Sequence, residues 1–268
     1  MIDVIHLVCD WGTGDLAWAE LLSAFTADLP PTVRFNMTSI KSFDTISTGF
    51  AVAQIGLAPR ELRPANMLVF ANTAPRKDRK DPKINNEGEG LLYATLKNGV
   101  HLVAVNSGFS LSFLRDDITE LWSTSAKAEG SQFRSRDFFP EIIHAAVRGD
   151  FSFRRNKLDP AELVPLPPPH AVAYVDSFGN LKTTIRTGDF IVSNVSSGTR
   201  VRVRIGNIIR AATVATGSFN VMEGDLAFAP GSSGYERRYW ELFTRGSSAW
   251  DEFGHPTVGS KITIEIPS

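Results

Sequence analysis

The chain has 268 residues but a single cysteine, Cys9, and its 28 Lys and Arg against 29 Asp and Glu leave a net charge of −1. One thiol excludes a disulfide framework and a Cys-rich zinc site, and its isolation suits a reducing compartment such as the cytoplasm. The charge balance lacks the basic excess of phosphate-binding proteins, so nucleic acid is not an expected partner. No apolar run approaches the ~18–20 residues of a membrane span. Met1-Ile2-Asp3 has no basic stretch ahead of an apolar one, so neither a membrane anchor nor a signal peptide is expected. No group of His and carboxylates has metal-ligand spacing, and no metal is expected. What is present, 43% apolar residues, suffices for one large domain or two ordinary ones, which leaves small-molecule enzymes and binding proteins.

The cluster Leu163-Val164-Pro165-Leu166-Pro167-Pro168-Pro169-His170 suits neither helix interior nor central strand and predicts an extended connector. It divides the chain into residues 1–160, a linker over 161–169, and residues 170–268. In the first part, strand-like runs at Val4–Cys9, Thr32–Met37, Asn66–Phe70 and His101–Val105 alternate with helical patterns at Ala17–Leu29, Asp44–Ile55, near Gly90–Lys97 and at Phe138–Arg148. That alternation predicts an open, Rossmann-like α/β sheet with helices on its faces. The second part turns to short, glycine-punctuated β segments at Ala171–Asp176, Asn180–Thr187, Thr199–Ile205, Leu226–Phe228 and Lys261–Ile266, which predict a small β-barrel or sandwich. The charged stretch Arg76–Lys83 reads as a solvated turn or a functional loop.

Three segments carry candidate chemistry. Asp10-Trp11-Gly12-Thr13-Gly14-Asp15 follows the first strand, where ligands bind in open α/β sheets, and its carboxylates can accept from hydroxyls and an ammonium. Asp15 equally suits the N-cap of the helix beginning near Leu16. The segment is neither a GxGxxG dinucleotide loop nor a phosphate loop. Asp176-Ser177-Phe178-Gly179-Asn180 makes a good hairpin turn, and it also offers the Phe178 ring to a base and the paired donor and acceptor of Asn180 to a base edge. Gly231-Ser232-Ser233-Gly234-Tyr235 and Gly246-Ser247-Ser248-Ala249 present backbone amides suited to a carboxylate or a base edge, or simply form two turns.

In this order and spacing the motifs resemble the S-adenosylmethionine hydroxide adenosyltransferases, relatives of the fluorinases and chlorinases. Asp10-Trp11-Gly12 with Asp15, Phe43-Asp44, Arg136-Asp137-x-Phe139 with Pro140 and His144, Asp176-x-Phe178-Gly179-Asn180, Gly206 and Gly224, Ser232-x-Gly234-Tyr235 and Gly246-Ser247-x-Ala249 extend the resemblance over nearly the whole chain. It implies an α/β domain followed by a β-barrel domain, and a homotrimer holding its substrate between one subunit's first domain and the next subunit's second. S-adenosylmethionine would be that substrate, with no further cofactor. Asp10 would hold the ribose hydroxyls, Asp15 and Asp176 the methionine ammonium, and Ser232 the methionine carboxylate. Phe178 and Asn180 would read adenine with backbone groups near Arg245 and Gly246.

The implied reaction is displacement at ribose C5′ by water, releasing adenosine and methionine. The sulfonium departs as a neutral thioether and needs no protonation, so alignment and partial desolvation of the nucleophile are the protein's main tasks. Hydrolytic members of the family carry an Asp-Arg-His set. Here the Asp position is Asn72, Arg79 stands at the Arg position, and the His position is Arg134. Asparagine and arginine are not general bases at neutral pH, so either Asn72 and Arg79 orient a water without a dedicated base, or the nucleophile or reaction has changed. The fluorinase halide-pocket serine falls on Ile142 or Ile143, neither of which has a hydroxyl donor. The alternative of another class is a binding protein that keeps the pocket without turnover. His144 and His6 read as structural, Cys9 as a thiol with a raised pKa, and Trp11 and Trp18 as core or pocket lining.

Overall fold

Strand β1, Val4–Cys9, is apolar on both sides and lies parallel between β2, Arg34–Ser39, and β3, Met67–Asn72. A computed structural model describes residues 2–74, 87–193, 195–217 and 220–266. Helix α1, Leu16–Thr26, links β1 to β2, and α2, Thr45–Gly56, links β2 to β3. With the order β2-β1-β3, right-handed crossovers put these helices on opposite faces of the sheet. Leu21 and Phe25 of α1 pack with Ile5, Leu7 and Phe70 and with Phe139 and Ile142 of α4, Phe139–Arg148. On α2, Phe50 meets Phe113 edge to face at 5.7 Å.

After β3 the chain leaves the all-parallel pattern. The residues near Gly90–Lys97, expected as a helix, form strand β4, Leu91–Leu96. Its side chains at Leu91, Leu92, Tyr93, Ala94 and Leu96 are all buried, so the segment has no polar face to turn to solvent as a surface helix would. Asn98-Gly99, a hairpin signal, returns the chain into β5, His101–Val105, antiparallel to β4 and parallel to β3. Two strands without a sequence expectation, β6 at Ile118–Thr124 and β7 at Arg154–Leu158, complete the order β2-β1-β3-β5-β4-β6-β7. The charged β7, Arg-Arg-Asn-Lys-Leu, is an edge strand of the kind that discourages further pairing. A short helix α3, Arg134–Asp137, precedes α4.

The chain divides into two units, Met1–Leu166 and Pro167–Ser268. The expected linker over 161–169 is partly helical: α5, Pro160–Leu163, is capped by Asp159 and only the residues after it run without helix or strand. The second unit is one seven-stranded sheet of β8 (Val172–Val175), β9 (Leu181–Arg186), β10 (Arg200–Ile205), β11 (Ile208–Val214), β12 (Leu226–Pro230), β13 (Tyr239–Thr244) and β14 (Ile262–Glu265). Its order is β14-β10-β11-β12-β13-β9-β8, and a single bridge, Ala171 to Lys261, joins the two edges, which makes a half-barrel. Val172, Leu181, Val203, Phe228 and Leu242 fill its interior, and β10 alternates exposed arginine with buried Val201, Val203 and Ile205. A one-turn helix α6, Ala249–Glu252, follows β13. Among the described residues no helix is long and apolar enough to cross a membrane.

Two outcomes follow from this packing. Gly49 lies inside α2, where Ala is normally better by about 1 kcal/mol, yet a Cβ there would collide with the Phe109 carbonyl oxygen. Gly49→Ala should therefore destabilise the protein by about 1–3 kcal/mol in denaturant titration, against the propensity. Burial also holds the His6 and His101 imidazoles below the ordinary histidine pKa. The unfolded chain takes up these protons near pH ~6.5, before the folded one does, so stability is full above that pH and declines below it. The thermal midpoint should fall between about pH 7.5 and 5.5. His6→Leu, which also removes a buried ring nitrogen without a partner among the described residues, should make the fall shallower.

Candidate functional site

In the first unit the loops at the carboxyl ends of β1, β2 and β3 converge on Asp10. Its side chain is 6% exposed, and Oδ2 accepts the Phe43 N–H at 2.9 Å and the Ala74 N–H at 3.3 Å. The Asp10 N–H donates to the Asn72 carbonyl at 3.2 Å, and Ser42 Oγ donates to the Asp10 carbonyl at 3.4 Å. Phe43, a non-glycine residue at φ 67°, is held in the left-handed region at this junction. Asn72 ends β3 directly opposite Cys9. Burial and the adjacent Asp10 carboxylate push the Cys9 thiol well up, which removes it as a nucleophile.

Both helices that start here are capped by aspartate. Asp15 Oδ1 accepts the Ala17 N–H at 2.9 Å, and Asp44 accepts the Ser47 N–H at 2.9 Å and its hydroxyl at 2.7 Å. The Asp15 side chain is exposed and also available to a ligand. Trp11 packs edge to face on Trp18 at 5.2 Å and on Phe133 at 5.7 Å.

Arg134 is held against the segment that leads into β4. Its Nη1 donates to the Glu89 carbonyl at 2.7 Å, Nη2 lies 3.8 Å from the Glu89 carboxylate, and the guanidinium covers the Phe139 ring at 5.9 Å. A Cβ at Gly88 would collide with this guanidinium, so the arginine is packed against the chain leading into β4. Burial lowers its pKa from the usual arginine value. His144 is buried, its Nε2 2.8 Å from the Phe25 carbonyl, and is structural. Arg79 and the stretch Arg76–Lys83 lie outside the described residues.

In the second unit a cleft of about 580 Å³ is lined by Phe178, Asn180, Thr244, Gly246, Ser247, Ser248 and Asp251. The Asp176–Asn180 segment is a hairpin turn between β8 and β9 and a wall of this cleft at once. Asp176 Oδ1 accepts the Phe178 and Asn180 N–H groups, both at 3.0 Å, and Oδ2 accepts Asn180 Nδ2 at 3.0 Å. The turn thus fixes Phe178 without burying it, and the residue is 77% exposed. The Trp250 N–H donates to the Gly179 carbonyl at 2.9 Å, and Ser248 Oγ caps α6 by accepting the Asp251 N–H at 3.1 Å. These bonds bring the Gly246–Ser248 turn against the Asp176 turn.

Arg245 precedes the cleft, with Nη1 donating to the Val221 carbonyl at 2.8 Å and its own carbonyl accepting from Gly224. Ser232 is exposed in the loop after β12 and does not line the cleft. Thr244 and Asp251 line it without a sequence expectation, although Ser248-x-x-Asp251 carries a helix-start signal that places Asp251 on the first turn. Lys182 and Glu241, also unexpected, lie 2.8 Å apart beside Asp176. Among the described residues no three His, Cys, Asp or Glu side chains cluster as metal ligands would.

No protein-family model and no curated protein matches the chain. Solved structures do. The chain is similar to an uncharacterized conserved protein from Thermotoga maritima, with 20% identity, a TM-score of 0.76 and coverage of 97% of this chain and 99% of that one. It is similar also to a conserved hypothetical protein from Thermus thermophilus, with 18% identity, a TM-score of 0.70 and coverage of 98% and 100%. At this identity the likeness establishes a shared fold over the full length.

Gly179 makes the cleft geometry sensitive to a single methyl group. It sits at φ 75°, and a Cβ there would collide with Ser248 Oγ. Gly179→Ala should lower stability by about 1–3 kcal/mol from strain and overpacking, and it should loosen the α6 cap, seen as faster amide exchange at Asp251.

Proposed function

We propose that the protein cleaves S-adenosyl-L-methionine with water at ribose C5′, giving adenosine, L-methionine and a proton that passes to solvent. The observation that carries this reading is the cleft: Phe178, Asn180 and Gly246, distant in sequence and all assigned to adenine by the resemblance, line one surface together with Ser247 and Ser248. Phe178 offers a fixed, exposed ring for stacking, and Asn180 and the turn offer polar groups to the base edge. In this reading the first unit is a Rossmann-like α/β domain and the second a β-barrel domain. Asp10 accepts the ribose hydroxyls, Asp15 and Asp176 hold the ammonium, and Ser232 holds the carboxylate. Both residue sets reach the ligand through the homotrimer that the resemblance implies, with no further cofactor.

Chemically the site has to do little more than align. The leaving thioether is neutral, and Asn72, beside Asp10 at the end of β3, can hold a water by hydrogen bonds without deprotonating it. Arg79 is the second residue assigned to that water. Arg134, at the family's His position, is held by the Glu89 carbonyl and lacks the proton-accepting capacity of a histidine. A carboxylate base normally contributes about 10²–10⁴-fold, so the enzyme is expected to be slow.

The missing base also favours a second reading, a protein that binds the nucleoside and does not turn it over. Incubation with S-adenosylmethionine followed by chromatography separates the two. Adenosine should accumulate with wild type and cease with Asp10→Ala. A ligand-dependent rise in melting temperature with no adenosine would support the binder instead. Phe178→Ala, at an exposed position, should leave the melting temperature unchanged and weaken adenosine binding about tenfold or more through lost stacking.

A further inference from the structure

Beside the Asp176 turn lie two further charges, Lys182 and Glu241, that the turn's own hydrogen bonds do not involve. Lys182 Nζ, from β9, stands 2.8 Å from Glu241 Oε2, on β13, and 3.6 Å from Asp176 Oδ2. The three side chains are only 13%, 15% and 21% exposed for Lys182, Glu241 and Asp176. Two carboxylates on one ammonium leave a surplus negative charge where partial burial strengthens electrostatic interactions. Glu241 also reaches the loop carrying Ser232, because a Cβ at Gly231 would collide with its carboxylate.

The acceptor sites of Asp176 are nearly full. A carboxylate has about four lone-pair sites, and the turn uses three, two on Oδ1 and one on Oδ2. Lys182 Nζ stands 3.6 Å from Oδ2, but its shorter contact is with Glu241.

We infer that Glu241 holds Lys182 back from Asp176 and so keeps one carboxylate site open for the ammonium of a ligand with an amino-acid tail. Lys182 and Glu241 are then positioning residues that set the preference for such a ligand over a nucleoside without the tail. The inference rests on the S-adenosylmethionine reading above. Without the Glu241 charge, Lys182 moves to Asp176, fills the open site and cancels its charge.

Calorimetric titration with S-adenosylhomocysteine, which has the ammonium but a neutral sulfur, and with adenosine, which has no tail, tests this. Glu241→Gln should weaken S-adenosylhomocysteine about tenfold while changing adenosine by less than about twofold. Lys182→Met, which removes the competing cation, should raise the affinity for S-adenosylhomocysteine relative to adenosine. Equal weakening of both ligands by Glu241→Gln, no weakening of either, or a selective loss of S-adenosylhomocysteine in Lys182→Met overturns the inference alone. Wild-type protein that binds neither ligand overturns it together with the reading beneath it.

Discussion

The Asp10 carboxylate is the point on which the first unit turns. A carboxylate so deeply buried has to find donors, and among the described residues it accepts from the backbone N–H groups of Phe43 and Ala74. These belong to the loops after β2 and β3, so one side chain ties together the ends of three strands. The tie also keeps Phe43 in a left-handed backbone conformation, which costs a non-glycine residue about 1–2 kcal/mol. Both helices begin at this junction with an aspartate cap, which satisfies their first N–H groups within the chain. This end of the sheet therefore carries side-chain carboxylates held in place by backbone donors.

The half-barrel repeats the device with Asp176. Three donors of its own turn converge on this carboxylate, and the turn is locked whether or not a ligand is present. Phe178 can then stand exposed in one place, held by the backbone on either side and not by packing of its ring. An aromatic presented this way loses little freedom on binding, which favours affinity. The Lys182 and Glu241 pair adds a charge network beside the same carboxylate, with Lys182 Nζ 2.8 Å from Glu241 and 3.6 Å from Asp176.

Much of the fold can be read from the residues. Val4–Cys9, Asp44 with the helix after it, and Phe138–Arg148 obey simple rules of apolar runs and caps, and the structure places strand and helices there. Leu91–Leu96 does not: a six-residue apolar run has no period that separates a buried strand from a buried helix, and only Asn98-Gly99 argued for a hairpin. Strands β6 and β11 mix polar and apolar residues on half-buried faces, where the local pattern is weakest, β7 is almost wholly polar, and β13 is buried along nearly its whole length although it carries Glu241 and Thr244. Among the candidate residues, Asp10, Asp15, Phe178 and Asn180 stand out in the sequence because they sit in glycine turns after strands. Thr244, Asp251, Lys182 and Glu241 were not, because each becomes interesting only through a neighbour distant in the chain.

By itself the sequence determined the change from α/β to all-β texture near the proline cluster, the scarcity of reactive sulfur and the aspartates that cap turns and helices. These are local or compositional properties, fixed by residue type and spacing. Only the tertiary structure decided that β4 is a strand, that the half-barrel joins its edges at Ala171 and Lys261, and that Asn180 and Gly246 share a cleft. Each depends on which strands pair, above all β9 with β13. Pairing is settled by burying faces and satisfying backbone donors across long chain separations, and no local window of residues contains that information.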